Sequence, residues 1–590
     1  MAEYQLGKWD LTELVKNQKS PAFQKQIREL EKQAIEFEKI KLKLNPKMSS
    51  KQFMSIIQQV EAISENMSKI GGYASLSYSS DTQSDEATSL MRKMSKLGSE
   101  ISNKILFFDL WWKTQIDEKN ADRLMKNAGE ITEYLSHKRL FAKYALSEPE
   151  EQIINTLDVT GVSALVKLYD KITNAFEYKM KVGNRQKIMT REELTNYVRS
   201  TNPKIRETAY KTILTKYSEN KGVIGEIYQN IVTNWKDEGI EIRGYKSPIS
   251  MMNIGNDIDD KTVDILLAVC KKNSPVFQKF FVQKAKMLKM KKLRRYDLYA
   301  PAASNIKEKR YSYDKSVKLV FESLGKFSSV LEEYARKVFN ENHVDSDIRK
   351  GKRDGAFCST LTPKITPYVL VNYTGKSRDV FTLAHELGHA VHSQAAQDRS
   401  ILVQDAPLPL AETASTFSEL LLYDNMSDKI SEDEKKTMLS EKIDDLYATI
   451  QRQSFFTIFE VDAHKQIGEG TTIDEISKTY LQNLKVQFGN SVTISDDFAI
   501  EWSCIPHFYH TPFYCYAYSF GNLLALSLFQ RYKKEGKDFV PAYLNILAAG
   551  GSKKPEKLLS EHGFDISSAK FWQEGFDYVK KQVKVLSSLN

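Results

Sequence analysis

Apolar residues recur at helical spacing along much of the chain. Across residues 20–143, apolar side chains lie three or four positions apart among charged ones, as in KQIRELEKQAIEFEKIKLKL. Such spacing puts the apolar side chains on one face of an α-helix. A second stretch, MRKMSKLGSEISNKILFFDLWW, ends in aromatic residues that we expect to be core: Phe107, Phe108, Trp111 and Trp112. The pattern predicts a mainly α-helical protein.

Helix starts are marked by short polar signals further along the chain. Asn202-Pro203 is typical of an N-cap followed by proline at the first helical position. Three capping boxes are predicted, at Thr190/Glu193, Ser431/Glu434 and Thr472/Glu475. No flexible linker lies near residue 200, where we place a loose boundary. We therefore expect two closely packed parts, a helical region over residues 1–200 and a larger one over residues 201–590.

Side chains that would alternate between the two faces of a strand predict two β-strands just before the helical stretch that begins near residue 379. Residues 356–361 and 365–373 are expected to form a β-hairpin. Pro367 cannot donate to a ladder, which favours an edge position for the second strand. An edge strand can pair with an extended peptide through main-chain hydrogen bonds, although an edge merely covered by another element is an equal alternative. The polar loop 352–354, between two glycines, is expected to flex.

The helical stretch after these strands contains His385-Glu386-Leu387-Gly388-His389, an H-E-x-x-H match. Residues four apart share a helix face, so His385 and His389 can bind one metal ion. Glu386 lies beside that face, where a carboxylate can take a proton from metal-bound water. Asp379 is a plausible N-cap for this helix. The motif predicts a catalytic zinc site.

A catalytic zinc needs a third protein ligand. His392 lies about 10.5 Å along the helix from His385 at 1.5 Å per residue, too far to share an ion bound at about 2.1 Å. Glu412, early on the next predicted helix, is the expected ligand, with Glu419 as a partner that orients a ligand. Two loop aspartates are rival ligands: Asp398 and Asp405.

Several motifs together resemble the oligoendopeptidase F branch of the thimet oligopeptidase family. They are HELGHAVHS with PLAETASTFSE, the preceding GKRDGAFCS and PYVLVNYTG, and the later IPHFYHTPFYCYAYSFG. The resemblance runs from about residue 202 to near the C-terminus. It implies a helical, bowl-shaped zinc peptidase with a deep substrate channel, a small sheet beside the H-E-x-x-H helix, and an N-terminal region that walls the cleft. It also implies the gluzincin ligand set His385, His389 and Glu412.

Residues 505–521 crowd histidines and tyrosines into a short segment. Buried hydroxyls must find partners, and zinc peptidases need donors for the oxyanion that forms during hydrolysis. By the resemblance, Tyr509 and Tyr516 match the family's substrate-contacting tyrosines, and His507 falls where this branch has a histidine. Tyr514 and Tyr518 are expected to pack only. Upstream, Glu460 and His464 are four positions apart and so share a helix face. They are expected to have a structural role, to form a surface pair, or to support the metal ligands.

Composition excludes several other classes of protein. The chain has 590 residues and a net charge of +9, without a basic motif interleaved with aromatic residues, so nucleic acid is not an expected partner. No apolar run spans a membrane, and the N-terminus lacks a signal-peptide core. Four scattered cysteines are typical of reduced thiols, which favours a cytoplasmic protein. The basic segment from Lys284 is expected to be a solvated helix face.

The sequence thus predicts a zinc-dependent oligoendopeptidase that holds one Zn²⁺ and cleaves internal bonds of short unstructured peptides. Glu386 would act as general base on zinc-bound water, with Tyr516, Tyr509 and His507 assisting. A metallo-carboxypeptidase of related helical fold is an alternative, for which Arg353 could anchor the substrate carboxylate. A non-catalytic helical peptide-binding protein is the alternative from a different class.

Overall fold

The computed structural model of the chain describes residues 3–301 and 309–589 and shows a mainly α-helical protein with small sheets. The helices before residue 301 are α1 Pro21–Glu38, α2 Ser50–Ser80, α3 Asp85–Thr114, α4 Glu118–Met125, α5 Thr132–Leu140, α6 Glu148–Thr160, α7 Val162–Asn174, α8 Arg191–Val198, α9 Pro203–Glu219, α10 Lys221–Lys236, α11 Pro248–Gly255, α12 Asp260–Lys272 and α13 Ser274–Met287. The later helices are α14 Tyr313–Phe327, α15 Ser329–Asn340, α16 Ser377–Ala395, α17 Leu408–Ala411, α18 Thr413–Ser427, α19 Glu432–Leu446, α20 Arg452–Gly468, α21 Ile473–Phe488, α22 His507–His510, α23 Tyr516–Glu535, α24 Val540–Ala548, α25 Pro555–Glu561 and α26 Ala569–Ser588. The strands are β1 Tyr178–Val182, β2 Arg185–Met189, β3 Leu293–Arg294, β4 Val344–Asp345, β5 Phe357–Ser359, β6 Tyr368–Leu370 and β7 Val492–Thr493.

The helix signals in the sequence are confirmed. The three predicted capping boxes close at the starts of α8, α19 and α21. The side chain of Asn202 caps α9, and Pro203 is its first residue. A cap satisfies backbone N–H groups that have no partner within the helix, which fixes where each helix begins.

The chain folds into two compact units, each built from separate segments. The first comprises Met1–Glu148, Glu308–Lys429 and Arg531–Phe564. The second comprises Pro149–Lys307, Ile430–Gln530 and Asp565–Asn590. The H-E-x-x-H helix α16 belongs to the first unit, and the histidine- and tyrosine-rich segment belongs to the second. The division of roles at residue 200 stays a prediction.

The core of the first unit contains the predicted aromatic cluster. Trp111 and Trp112 are buried, and the Trp112 ring stacks on Phe53 of α2 with centroids 4.8 Å apart. Leu361 and Tyr368, which lie next to or within the small sheet, belong to the same apolar core. The N-terminal helices therefore share their core with the sheet that precedes α16.

That sheet has the order β4-β6-β5, with β6 parallel to β4 and antiparallel to β5. The hairpin is confirmed, although each of its strands has three residues. The edge position expected for the second strand is wrong, because β6 is central and β5 is at the edge. Pro367 lies just before β6 and so removes no hydrogen bond from the ladder.

Two further expectations differ from the structure. The loop at residues 352–354 is anchored, because the Lys352 ammonium is buried and donates to the carbonyls of Asp345, Asp347 and Val371. The basic segment is not fully solvated, since Lys284 is buried and pairs with Asp444. Buried cations require such partners because removing a charge from water is costly.

Candidate active site

Helix α16 carries the H-E-x-x-H motif and is buried along one face. Asp379 lies in its first turn rather than at the N-cap, and its carboxylate accepts from the backbone N–H groups of Thr374 and Lys376 at 2.7 and 3.0 Å. The apolar face, which includes Leu383 and Leu387, is completely buried. The helix therefore has a fixed start and a fixed rotation, which determines where its histidines point.

Gly388, inside the motif, permits a close approach of α16 to α18. A Cβ placed on Gly388 would lie 2.5 Å from Ser415 Cα and 2.6 Å from the Ala414 carbonyl oxygen. Any side chain would therefore push the two helices apart. Glu412 lies at the break between α17 and α18, immediately before this contact. The glycine thus allows the Glu412 carboxylate to reach the histidines of α16.

Three side chains bring one donor atom each to a common point. His385 Nε2 lies 3.2 Å from His389 Nε2 and 3.3 Å from Glu412 Oε2. His389 Nε2 lies 3.6 Å from the same carboxylate oxygen. In a tetrahedral zinc site with bonds of about 2.0–2.1 Å, neighbouring donor atoms are about 3.3 Å apart. The three residues therefore fit a zinc ion in both chemistry and spacing.

Neighbouring groups orient these donors. Glu419 Oε1 lies 2.6 Å from His385 Nδ1, so in the neutral, metal-binding form of the ring Nδ1 keeps the proton and Nε2 offers a lone pair. The Ser415 hydroxyl donates to Glu412 Oε2 at 2.9 Å. Such contacts fix the tautomer and the ring orientation of a ligand. Glu419 thus occupies the position that the sequence predicted for it.

Electrostatics keep two of the three donors in forms that can bind a metal. Burial raises the pKa of Glu412, but its hydrogen bond from His385 and the nearby charges lower it to about 2. Burial and the neighbouring His385 lower the pKa of His389 to about 4. Burial also disfavours the charged form of His385, yet hydrogen bonds to Glu412 and Glu419 raise its pKa well above the ordinary value. A metal ion must therefore displace a proton from His385.

Glu386 is 7% exposed. Burial raises its pKa to about 7, with contributions from Glu412 and Glu419, against the opposing effects of His385 and the Cys358 N–H. A carboxyl group with this pKa can both accept and donate a proton near neutrality. Cys358 lies in the edge strand β5, which packs against α16.

The rival ligands do not join this group. Within the part of the chain that the structure describes, the one cluster of three potential ligands is His385, His389 and Glu412. His392 is buried on α16, and burial lowers its pKa to about 4. The alternatives Asp398 and Asp405 lie outside the cluster.

In the second unit, the two tyrosines assigned to substrate are buried. Tyr516 is inaccessible to solvent, and its hydroxyl accepts from the Asn256 side chain at 2.8 Å. Tyr509 is 1% exposed and stacks on Tyr169 with ring centroids 3.7 Å apart. Neither hydroxyl is presented to solvent in this conformation.

Three other rings of the same segment are only half-buried. His507 stacks on Tyr514 with centroids 5.7 Å apart, and its Nε2 lies 3.4 Å from the Tyr518 hydroxyl. His510 is exposed and pairs with Asp170 at 2.8 Å. Burial alternates along this stretch: Tyr516, the first residue of α23, turns into the core, whereas Tyr514 in the preceding turn and Tyr518 within α23 are partly exposed. The sequence alone did not show which hydroxyls face solvent.

Comparison with known families decides the classification. The model for peptidase family M3 matches residues 196–578, and the model described as oligopeptidase F matches residues 114–178. The chain belongs to peptidase family M3. It is a metalloendopeptidase, and the resemblance to the oligoendopeptidase F branch is confirmed.

Similar proteins extend this result over nearly the whole chain. An oligoendopeptidase F homolog from Borreliella burgdorferi is 29% identical over 582 residues, which cover 95% of this chain and 94% of the relative. Oligopeptidase PepF from Bacillus subtilis is 29% identical over 469 residues, covering 76% of this chain and 67% of the relative. The enzyme is thus similar to oligopeptidases along its length.

Solved structures share the fold. One from Chlamydophila abortus, described as a candidate peptidase, superposes with a TM-score of 0.86 at 24% identity and covers 99% of this chain and 100% of its own. Oligoendopeptidase F from Enterococcus faecium superposes with a TM-score of 0.71 at 20% identity, and the match covers 96% of this chain and 98% of that structure. Among the residues that the structure describes, no helix is both long enough and apolar enough to cross a membrane.

Proposed function

We propose that the enzyme is a zinc-dependent oligoendopeptidase that hydrolyses internal bonds of short, unstructured peptides. The observation that carries the proposal is the convergence of His385, His389 and Glu412, with Glu386 beside them. Their donor atoms are 3.2–3.6 Å apart, close to the edges of a tetrahedral zinc site. One Zn²⁺ is the expected ion, because two imidazoles and a carboxylate leave a fourth position open.

When bound, zinc supplies Lewis acidity that lowers the pKa of water and polarises the scissile carbonyl. His385, His389 and Glu412 would hold that ion. Glu412 contributes a negative charge, and Glu419 holds the His385 ring through Nδ1. Because Glu412 directly precedes α18, Glu419 lies within α18 and both histidines lie on α16, the close contact at Gly388 sets the shape of the site.

Glu386 performs the proton transfers in this proposal. Its carboxylate accepts a proton from the attacking water and then donates it to the nitrogen of the departing amine. Burial raises the pKa of Glu386 to about 7 in the absence of the ion, and a bound cation would lower it, which favours the carboxylate form that accepts the first proton. The proton ends on the new amino terminus, and the oxygen of water ends in the new carboxylate.

The edge strand β5 offers main-chain binding to a peptide. It is half-buried, pairs with β6 on one side only, and packs against α16. A peptide that added to this edge would be held through backbone groups, largely irrespective of its side chains. An extended conformation is required, which excludes folded proteins and favours short peptides.

We infer that the segment of residues 507–518 supplies donors to the oxyanion of the transition state. His507, Tyr514 and Tyr518 are half-buried and in mutual contact, which supports a role in binding for them more than complete burial would. Tyr509 and Tyr516, which the family resemblance favours, would first have to leave the core. A hydroxyl that donates only to the charged oxyanion raises kcat rather than affinity.

The family assignment does not favour the metallo-carboxypeptidase alternative, and one observation alone speaks for it. The exposed Arg353 guanidinium lies over the ring of Phe357, the first residue of β5, at 5.4 Å. A cation at the end of the edge strand could bind a substrate's free carboxylate. Amidation of a peptide's C-terminus distinguishes the candidates, since an endopeptidase cleaves the amidated peptide and a carboxypeptidase does not.

The test of the main proposal is a cleavage assay with an internally quenched peptide of about ten residues, blocked at both ends. Removal of metal with a chelator should abolish cleavage, and Zn²⁺ should restore it with one ion per chain. Internal fragments should be found by mass spectrometry. Full activity after complete metal removal would contradict the proposal. We also propose a cytoplasmic location, where such peptides arise during protein turnover.

A further inference from the structure

Phe513 adopts a backbone conformation that is uncommon for a bulky residue. Its φ is 61°, and its side chain is 1% exposed. For residues with a Cβ, this left-handed region is sterically unfavourable. Phe513 lies between α22 and α23, after His507 and directly before Tyr514. The turn that spaces the half-buried rings is therefore strained and requires support from its surroundings.

Glu460 of α20 provides that support. Its Oε1 accepts the backbone N–H of Phe513 at 2.8 Å, and the side chain is 1% exposed. Oε2 has no hydrogen-bond partner among the described residues. Burial raises the pKa of Glu460 to about 8, against the opposing effect of the Phe513 N–H. At neutral pH the group is therefore mainly a neutral acid that accepts one backbone hydrogen bond.

His464, one helical turn after Glu460, contacts the aromatic ring of Phe513. Its ring centroid lies 4.5 Å from that of Phe513 at an interplanar angle of 52°. Both ring nitrogens are buried, and neither has a hydrogen-bond partner in the described residues. Burial lowers the pKa of His464 to about 3, so the ring is neutral. Glu460 and His464 thus hold the amide and the ring of Phe513 from one helix face.

We propose that Glu460 is a positioning residue for catalysis: by holding the strained turn at Phe513, it sets the placement of His507, Tyr514 and Tyr518. His464 fixes the Phe513 ring in the same arrangement. The inference rests on the proposed function, in which those rings assist the reaction. It assigns a role to the Glu460/His464 pair, for which the sequence left structural, surface and metal-supporting roles open.

Stability alone does not account for Glu460. A buried carboxyl oxygen without a partner is destabilising, and this cost offsets what the single hydrogen bond of Glu460 contributes. A leucine of similar volume would avoid the desolvation cost but leave the Phe513 N–H without an acceptor. The two changes nearly cancel in stability, so the geometry of the turn is what the acceptor controls.

Two variants separate these effects. Glu460→Gln keeps an acceptor and mimics the neutral acid, so kcat should stay within about twofold of the wild-type value. Glu460→Leu removes the acceptor at similar volume, so kcat should fall about tenfold or more while KM changes less than about threefold. Zinc content and the melting temperature should remain near those of the wild type in both variants.

Amide hydrogen exchange of the zinc-loaded enzyme measures the protection of the Phe513 N–H directly, without substrate. The Phe513 amide should exchange slowly in the wild type and in Glu460→Gln, and much faster in Glu460→Leu. Asn483→Leu is a matched control, because Asn483 is buried and its Nδ2 donates to the Phe455 carbonyl of the same helix α20. That variant should lower the melting temperature without changing exchange at Phe513.

The inference is overturned if Glu460→Leu keeps the wild-type exchange at Phe513, whatever its activity. It is equally overturned if Glu460→Gln loses as much kcat as Glu460→Leu, or if loss of zinc accompanies the loss of turnover. If the wild-type enzyme cleaves no peptide, the proposed function fails together with the catalytic part of this inference. The exchange difference at Phe513 would still show whether Glu460 holds the turn.

Discussion

Gly388 and Ser415 make a close helix contact beside the metal-binding group. A Cβ on Gly388 would lie 2.5 Å from Ser415 Cα, so the backbones of α16 and α18 meet where the donor atoms converge. Glu412 and Glu419 both belong to the α18 side of this contact. The distance between the two helices therefore controls the third ligand and the group that orients the first.

Gly388→Ala should separate these helices. Overpacking of this kind typically costs about 1–3 kcal/mol in the free energy of unfolding. Zinc affinity should fall as well, because Glu412 moves away from the histidines. Gly71→Ala is the control: no atom lies within 4 Å of the added Cβ, so this change in helix α2 should be neutral or stabilising. Thermal unfolding and zinc titration measure both. Unchanged zinc affinity in Gly388→Ala would contradict the role of the contact.

Glu412→Ala should remove a ligand, whereas His392→Ala should not. Glu412 Oε2 lies 3.3 and 3.6 Å from the two histidine donors, while His392 lies outside the group. Zinc measured in the purified variants should be much reduced in the first and near one ion per chain in the second. The reverse order would overturn the ligand assignment.

Glu419→Ala should weaken zinc binding without removing a ligand. Its carboxylate accepts a hydrogen bond from His385 Nδ1 at 2.6 Å. Loss of such a partner typically lowers metal affinity about 10–100-fold, and we expect a loss of about that size here. Competition with a coloured chelator gives the dissociation constant. Glu419→Gln retains an acceptor oxygen and should lose less affinity; an equal loss would show that charge alone matters.

Tyr518→Phe should lower kcat more than Tyr516→Phe. The Tyr518 hydroxyl lies near His507 on a half-buried side chain, whereas that of Tyr516 is buried against Asn256. Loss of an oxyanion donor costs about 2.7–4 kcal/mol, roughly a hundred- to thousandfold in kcat. Tyr516→Phe should instead cost about 1 kcal/mol of stability. If Tyr516→Phe gives the larger loss of kcat, the assignment by family resemblance is correct.

Local signals in the sequence predicted much of the fold and the metal-binding group. Capping boxes, helical periodicity and the spacing of His385 and His389 depend on a few neighbouring residues. Pro367 was misleading because its effect depends on whether the strand begins before or after it. The ammonium of Lys352 donates to three backbone carbonyls that lie elsewhere in the first unit. Only the tertiary structure reveals this anchor.

The histidine- and tyrosine-rich segment shows the limit more sharply. Its composition indicated functional hydroxyls, but which of them face outward depends on the turn at Phe513. That conformation is unusual for phenylalanine, and its support comes from Glu460, fifty-three positions earlier in the chain. Local propensity contains no such information, because a long-range hydrogen bond overrides it.

The most direct test of the account is the turnover of Glu386→Gln with its zinc content measured in the same sample. The ligands His385, His389 and Glu412 remain, so the variant should hold about one zinc per chain. Because an amide cannot accept and return the proton, kcat should fall by about 10²–10⁴-fold or more. Full zinc occupancy with that loss is the predicted result. Turnover near the wild-type rate at full zinc occupancy would contradict the mechanism.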